Sequence, residues 1–172
     1  MSGIGHLATG FAAKYSKPTI PLWALLIASE TNDILSIVFS TIGIEPKAVI
    51  TSMDFTNGMT YLTPVFNPWS HGFFMSLVYS VVAAMIAYLF YHDRRTSGVV
   101  GLVVFSHWIL DFLMHSNLPL FFAKTPLVGL GLENTGAGFL FMTILDLLLV
   151  AVGVTLYFVC RKRRLRENAI TG

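Results

Sequence analysis

Hydrophobic residues are grouped along the chain in long blocks, and four of these blocks are long enough to cross a membrane. A spanning helix needs about 20 mostly apolar residues. Segments that meet this requirement lie at about residues 19–44, 70–91, 96–116 and 136–160. A shorter helical stretch at residues 4–15 cannot span, so we expect it to lie in the interface or to enter the membrane part way. The pattern predicts an all-α membrane helix bundle that forms a single domain over residues 1–172.

The connections after the first and third segments are longer than a helix bundle requires. They comprise residues 45–69 and 117–135. Ordered loops longer than about 15 residues are more often functional than simple connections. Both loops are therefore candidates for a functional role.

Composition supports a membrane location, and the basic residues indicate an orientation. Hydrophobic residues make up 55% of the chain and charged residues 12%, and the mean hydropathy is +0.70. Lys and Arg are concentrated in the tail 161–166 and in the short loop 92–95, as is typical of cytoplasmic segments. We therefore expect both termini to be cytoplasmic and both long loops to lie outside. The basic tail fits an anchor beside anionic lipid better than a nucleic-acid site, so membrane lipid is the expected partner.

Several ionisable residues interrupt the apolar segments. They are Glu30, Asp33, His107, Asp111 and Asp146. An acidic residue at the centre of a membrane helix costs about 2.5 kcal/mol or more. No Lys or Arg lies inside any of the four segments, so ordinary ion pairing within them cannot neutralise these acids. The acids must be protonated, bind a metal ion or line a wet cavity.

The spacing of these residues places several of them on shared helix faces. Glu30 and Asp33 are three positions apart, and His107 and Asp111 are four apart, so each pair lies on one face. His115 continues the second face by one turn. Under the expected topology, His71 lies at the outer start of the second segment. We therefore predict that His71, His107 and Asp111 converge in the outward half of the bundle.

Mixed histidine and carboxylate ligands suit zinc, manganese or iron. His6 joins the candidates if the short N-terminal helix enters the bundle. There are then more candidate ligands than one tetrahedral ion needs, so the residues also allow two metal ions.

Three short motifs resemble those of the membrane-bound metal-dependent hydrolase-like family of bacteria and archaea. They are Ser29-Glu30-Thr31-Asn32-Asp33, Pro68-Trp69-Ser70-His71-Gly72 and Ser106-His107-Trp108-Ile109-Leu110-Asp111. An early histidine, here His6, belongs to the same pattern. The resemblance covers most of the chain. Two departures are Ser29-Glu30, where that family commonly has Pro-Asp, and Gly72, where it commonly has Ser.

The resemblance implies a metal-dependent hydrolase of a bacterial or archaeal cytoplasmic membrane. The expected metal ligands are His6, Asp33, His71, His107 and Asp111. Zinc is the first expectation, with manganese or iron as alternatives. The ion would activate a water molecule, Glu30 would be the general base, and His115 would orient a ligand or protonate the leaving group. A lipid ester or phosphoester suits access from the bilayer, although no phosphate-binding arginine accompanies the motifs.

Two further functions are compatible with the same residues. Buried acids and histidines also form proton relays and ion paths in transporters. Four short spans are few for a carrier, so a transporter of this kind implies a homo-oligomer. The alternative is a structural membrane protein whose metal ion only holds helices together, for which a closed coordination shell is typical.

Overall fold

The computed structural model describes residues 4–17, 19–47, 50–54, 59–62 and 66–171, and these residues are mostly helical. The helices are α1 (Ile4–Ser16), α2 (Leu22–Ser29), α3 (Thr31–Thr41), α4 (Phe73–Tyr91), α5 (Arg94–Met114) and α6 (Gly136–Thr171). Within the described ranges, β1 (Ile50–Asp54) pairs with β2 (Met59–Leu62), and β3 (Leu118–Pro119) pairs with β4 (Leu127–Val128), both antiparallel. The helical class is thus confirmed, whereas the short strand pairs in the two long loops were not predicted.

Three helices of the described chain are long and apolar enough to cross a membrane. They are α4, α5 and the portion of α6 from Gly136 to Arg163. Each coincides with a predicted segment, but α4 begins at Phe73 rather than at residue 70, and α6 continues as far as Thr171. The predicted segment 19–44 is not one straight helix. It consists of α2 and α3, which meet the same criterion only as a pair bent by 58°.

The bend between α2 and α3 is centred on Glu30 and has a local cause. The hydroxyl of Ser29 donates to the carbonyl of Leu26, and the hydroxyl of Thr31 donates to the carbonyl of Ile27. Such side-chain bonds to the preceding turn compete with the helical ladder and often bend helices. The backbone of Glu30 consequently leaves the helical conformation, and α3 departs in a new direction.

The short helix α1 lies within the bundle, packed against α2, α5 and α6. Small residues allow these close approaches: a side chain at Gly10 would meet the Leu25 carbonyl, and one at Gly153 of α6 would meet Ala8 and Phe11. Small residues at helix contacts are typical of membrane bundles. The condition under which His6 joins the candidate ligands, entry of the short N-terminal helix into the bundle, is therefore met.

The helix α1 also has a defined direction relative to α5. Its C-terminal end approaches the start of α5, where the Lys17 ammonium lies 3.2 Å from the Asp93 carboxylate. Its first turn approaches the other end of α5, where His6 lies beside Asp111. Residues 1–3 and 172 lie outside the described part of the chain, so the cytoplasmic location of both termini stays a prediction.

Much of the surface of the bundle is apolar. Phe90, Leu89 and Leu102 are 78%, 71% and 69% exposed, and many other large hydrophobic side chains on α3, α4 and α6 are similarly placed. Soluble monomers rarely expose large contiguous apolar patches. Together with the three long apolar helices, this surface indicates a membrane protein.

The second long loop folds back over the C-terminal end of α5. The amide of Leu130 donates to the Phe112 carbonyl, and the amide of Gly131 donates to the His115 carbonyl. Gly129 has a φ of +129°, and a Cβ at this position would overlap the His115 carbonyl. Only glycine fits there, so the loop is held close against the end of α5.

Candidate metal centre

The side chains of Asp33, His71, His107 and Asp111 meet at the end of the bundle where α3, α4 and α5 converge. Asp33 lies in the first turn of α3, His71 in the turn before α4, and the other two on α5. The Asp33 Oδ1 atom lies 3.2 Å from His71 Nε2 and 3.6 Å from His107 Nε2. The Asp111 Oδ2 atom lies 3.7 Å from His71 Nε2 and 3.3 Å from His107 Nε2. His71, His107 and Asp111 thus lie together as predicted, whereas their location in the outward half of the bundle stays a prediction.

Within the described chain, two groups of three side chains have potential ligand atoms within 4.8 Å of one another: His71, His107 and Asp111 form one, and His6, Asp33 and His107 form the other. Zinc binds nitrogen and oxygen ligands at about 2.0–2.1 Å, so the ligand atoms of a tetrahedral site lie about 3.3–3.4 Å apart. The four distances between carboxylate oxygens and imidazole nitrogens range from 3.2 to 3.7 Å. We call these four side chains, Asp33, His71, His107 and Asp111, the cage.

Hydrogen bonds to the distal ring nitrogens determine which tautomer the two cage histidines adopt. The Nδ1 atom of His107 lies 2.8 Å from the Ser29 carbonyl oxygen, which can only accept, so Nδ1 carries the hydrogen. The Nδ1 atom of His71 lies 2.8 Å from Ser70 Oγ, whose own hydrogen is donated to Glu45. His71 Nδ1 must therefore also be protonated. Metal-binding histidines generally donate the distal N–H in this way.

When both histidines are neutral, these tautomers place only electron-pair acceptors inside the cage. The Nε2 atoms of His71 and His107 then face carboxylate oxygens, whereas in the absence of an ion a protonated His71 would donate from Nε2 to Asp33 Oδ1, 3.2 Å away. His107 Nε2 is buried and makes no hydrogen bond of acceptable geometry within the described chain. A cation at the centre would interact favourably with all four groups. The donor set and its spacing therefore fit a divalent transition-metal ion.

His6 and His115 approach the other oxygen of Asp111. His6 Nε2 lies 3.3 Å and His115 Nε2 lies 3.7 Å from Asp111 Oδ1. The His6 ring stacks on the His107 ring with centroids 3.7 Å apart. His6 also lies with Asp33 and His107 in a group whose potential ligand atoms are all within 4.8 Å of one another. His6 is therefore close enough to bind an ion directly or to orient Asp111.

The distal nitrogen of His6 distinguishes it from the cage histidines. His6 Nδ1 is buried and has no hydrogen-bond partner among the residues described. If His6 bound metal through Nε2, its Nδ1–H would be buried without an acceptor, which is costly. The tautomer with hydrogen on Nε2 instead donates to Asp111 Oδ1. This favours an orienting contact over direct ligation.

Glu30 lies beside the cage rather than in it. It occupies the bend between α2 and α3 and interacts electrostatically with Asp33, His107 and Asp111. Its Oε1 atom is buried and has no hydrogen-bond partner in the described part of the chain. Glu30 is thus a carboxylate near the candidate ion that the cage does not need as a ligand.

The residues that form hydrogen bonds on the Nδ1 side of the cage histidines were not predicted from the sequence. Glu45 and Ser70 are buried and connect to His71, and the Ser29 carbonyl supports His107. The sequence offers no pairing signal for Glu45, because it acts across a long loop.

The buried Asp146 of α6, an acid also noted in the apolar segments, belongs to neither of the candidate metal-binding groups in the described chain.

Comparison with known proteins provides no relative for this chain. No family model, no curated protein and no solved structure matches it. Functional assignment therefore depends on the site itself.

Proposed function

We propose that the protein is a membrane-embedded, metal-dependent hydrolase that cleaves an ester or phosphoester bond of a membrane lipid. The observation that carries this proposal is the position of Glu30, whose buried and unpartnered Oε1 atom lies beside a cage suited to one metal ion. Zinc is the preferred ion because a mixed set of imidazole and carboxylate ligands suits it. A carboxylate that is close to the ion but is not one of its ligands is suitably placed to act as a general base.

Each residue of the site has a role in this proposal. A bound divalent ion would lower the pKa of a water molecule toward neutrality and so supply hydroxide. Glu30 would accept the water proton at Oε1. His115, at the end of α5 and partly exposed, would donate a proton to the leaving group or hold Asp111 in place. His6 would hold the opposite side of Asp111.

The position of the cage along α5 suggests a lipid substrate. With a rise of about 1.5 Å per residue, Asp111 lies about 26 Å along the axis from Arg94, close to the thickness of the hydrocarbon core, which is about 30 Å. Trp69, two residues before His71, is half exposed, and tryptophan is enriched at membrane interfaces. The Asp33 side chain is 38% exposed, so the cage can be approached from outside the bundle. These features suit a substrate bond near the level of the lipid headgroups.

The proposed topology has four spans, with the bent pair α2 and α3 counted as one. The end of the bundle that contains Lys17 and Arg94, and the basic tail, would face the cytoplasm of a bacterium or archaeon. The cage would then face outward. Single cysteines at Lys124 and Arg94 in a Cys160→Ser background test this arrangement. An impermeant thiol reagent added to intact cells should label the first and spare the second, and the reverse result would exclude this orientation.

The Glu30→Gln variant tests the hydrolase proposal most directly. Purified wild-type and variant proteins would be loaded with zinc and incubated with vesicles of bacterial lipids, and lipid products would be measured. We expect the variant to retain the metal but lose about 10²–10⁴-fold in turnover, because general-base catalysis contributes that much. Full activity in the variant would remove Glu30 from the mechanism. A wild-type protein that binds zinc but yields no product would argue against hydrolysis.

One observation supports a second candidate, a metal ion that only holds helices together. The cage contains four candidate ligand side chains, and closed four-ligand sites are typically structural. Cobalt substitution distinguishes the two candidates through the visible spectrum. A spectrum that changes when small anions are added indicates an accessible coordination position, as hydrolysis requires. An unresponsive spectrum favours the structural role.

A further inference from the structure

Glu45 is a buried carboxylate outside the cage, and within the described chain its oxygens are hydrogen-bonded to the turn that precedes His71. Only 3% of Glu45 is exposed. Its Oε1 atom accepts hydrogen bonds from the Trp69 amide at 2.8 Å and from the Ser70 amide at 2.9 Å. Its Oε2 atom accepts from the Ser70 hydroxyl at 2.6 Å. A buried carboxylate is costly unless hydrogen bonds satisfy it, and this turn supplies three of them.

The hydrogen bonds form a directional chain from Glu45 to the cage. The Ser70 hydroxyl has one hydrogen, and the acceptor oxygen of Glu45 takes it. Ser70 Oγ can then only accept from His71 Nδ1, 2.8 Å away. A neutral His71 therefore keeps its hydrogen on Nδ1 and presents the lone pair of Nε2 to the cage. The carboxylate at the start of a long loop thus determines the state of a residue at its end.

We propose that Glu45 is a positioning residue that, through Ser70, holds His71 in the tautomer and orientation required for metal binding. The inference rests on the metal cage of the proposed function, but not on hydrolysis. His107 receives the same support from a backbone carbonyl, which no side-chain change removes. His71 depends on a loop carboxylate instead, so its metal-binding state is coupled to the contact between Glu45 and Ser70.

The Glu45→Gln substitution should reverse the donor and acceptor roles in this chain of hydrogen bonds while keeping the side chains in the same positions. A glutamine amide in place of Oε2 donates to Ser70 Oγ, so the Ser70 hydrogen turns toward His71 Nδ1. His71 then accepts at Nδ1 and carries its hydrogen on Nε2, which faces the cage. The Ser70→Ala substitution breaks the chain without reversing it. Glu45→Gln should therefore impair metal binding more than Ser70→Ala.

Zinc titration with a competing chelator, combined with ¹⁵N NMR of the histidine side chains, tests the inference on the full-length protein in detergent. Loss of a residue that supports a ligand typically lowers metal affinity about 10- to 100-fold, and we expect this for Glu45→Gln. In the metal-free protein, the His71 signal should change from the Nδ1-protonated to the Nε2-protonated tautomer. The matched control is Asp93→Asn, a carboxylate-to-amide change at the opposite end of α5, which should alter neither property.

Two results would overturn the inference. One is an unchanged His71 tautomer and zinc affinity in Glu45→Gln. The other is a lower melting temperature of the metal-free variant with no change in the His71 tautomer. Glu45 would then only stabilise the fold of the loop. If Glu45→Gln does not fold, Ser70→Ala must still lower zinc affinity. The tautomer is measured without metal or substrate. The result is therefore independent of whether the wild-type protein hydrolyses lipids.

Discussion

Two carboxylates at opposite ends of α5 have contrasting surroundings. Asp93, immediately before the helix, accepts hydrogen bonds from the amides of Arg95 and Thr96 and from the Thr96 hydroxyl, and pairs with the Lys17 ammonium. Asp111, near the other end, is buried, and the imidazole nitrogens of His6, His71, His107 and His115 lie within 3.7 Å of its carboxylate oxygens. The first carboxylate is surrounded by backbone amides, a hydroxyl and an ammonium group. The second is surrounded by side chains that can bind a metal ion.

The difference also appears in protonation. Hydrogen bonds from the hydroxyl and amide of Thr96, together with Lys17, hold the pKa of Asp93 well below its usual range. Asp93 is therefore ionised throughout the neutral range and caps α5 without further help. The comparison shows that one end of α5 is completed by hydrogen bonds and an ion pair within the protein, whereas the carboxylate near the other end lies in a group of side chains that could hold a metal ion.

Asp111→Asn should have the largest effect, because it removes one charge from the cage with little change in volume. We expect bound metal to fall to background level. A metal ion present at 100 times its dissociation constant stabilises a protein by about 2.7 kcal/mol, and that increment should disappear. Metal analysis and melting curves with and without chelator measure both effects. Unchanged metal content would mean that Asp111 is not a ligand.

His6→Gln should have an intermediate effect that separates orientation from ligation. If His6 only orients Asp111, zinc affinity should fall about 10- to 100-fold, but saturating zinc should restore full occupancy. His107→Gln, in which a cage ligand is lost, serves as the comparison and should not be rescued. Equal loss of occupancy in the two variants would instead place His6 among the ligands.

A change of pH from 8 to 5.5 should affect the two ends of α5 differently. Metal ligands must be deprotonated, so the chelator-sensitive part of the stability should decline as the pH passes through the histidine range. The pKa of Asp93 is lowered by folding, so its contribution is complete above about pH 4 and is lost only in more acidic solution. Asp93→Asn should therefore cause the same small drop in melting temperature at both pH values. A larger drop at pH 8 would contradict this separation.

The parts of the site that the sequence predicted are those set by local periodicity. His107 and Asp111 share a face of α5 because they are four residues apart, and α5 formed close to its predicted limits. The bend at Glu30 was missed because the apolar pattern continues through it, while hydroxyl bonds from Ser29 and Thr31 compete with the helix.

The support behind His71 could not be predicted for a different reason. Glu45 and Ser70 are brought together by the fold of a long loop, and no periodicity relates positions so far apart. The same loop places His71 in a turn before α4 rather than in the first turn of the helix. Contacts between loops depend on tertiary packing, which a single sequence does not reveal.

The shortness of α1 has a consequence for how the protein is made. With 13 residues, α1 is about 20 Å long, too short to cross a hydrocarbon layer of about 30 Å on its own. It packs instead in a groove formed partly by Gly153 of α6, the last of the described helices to leave the ribosome. His6 is the first residue of the site to be synthesised, and the helix that carries it packs against α6 as well as against α2 and α5. A chain interrupted before α6 should therefore lack part of the packing that holds His6 beside Asp111.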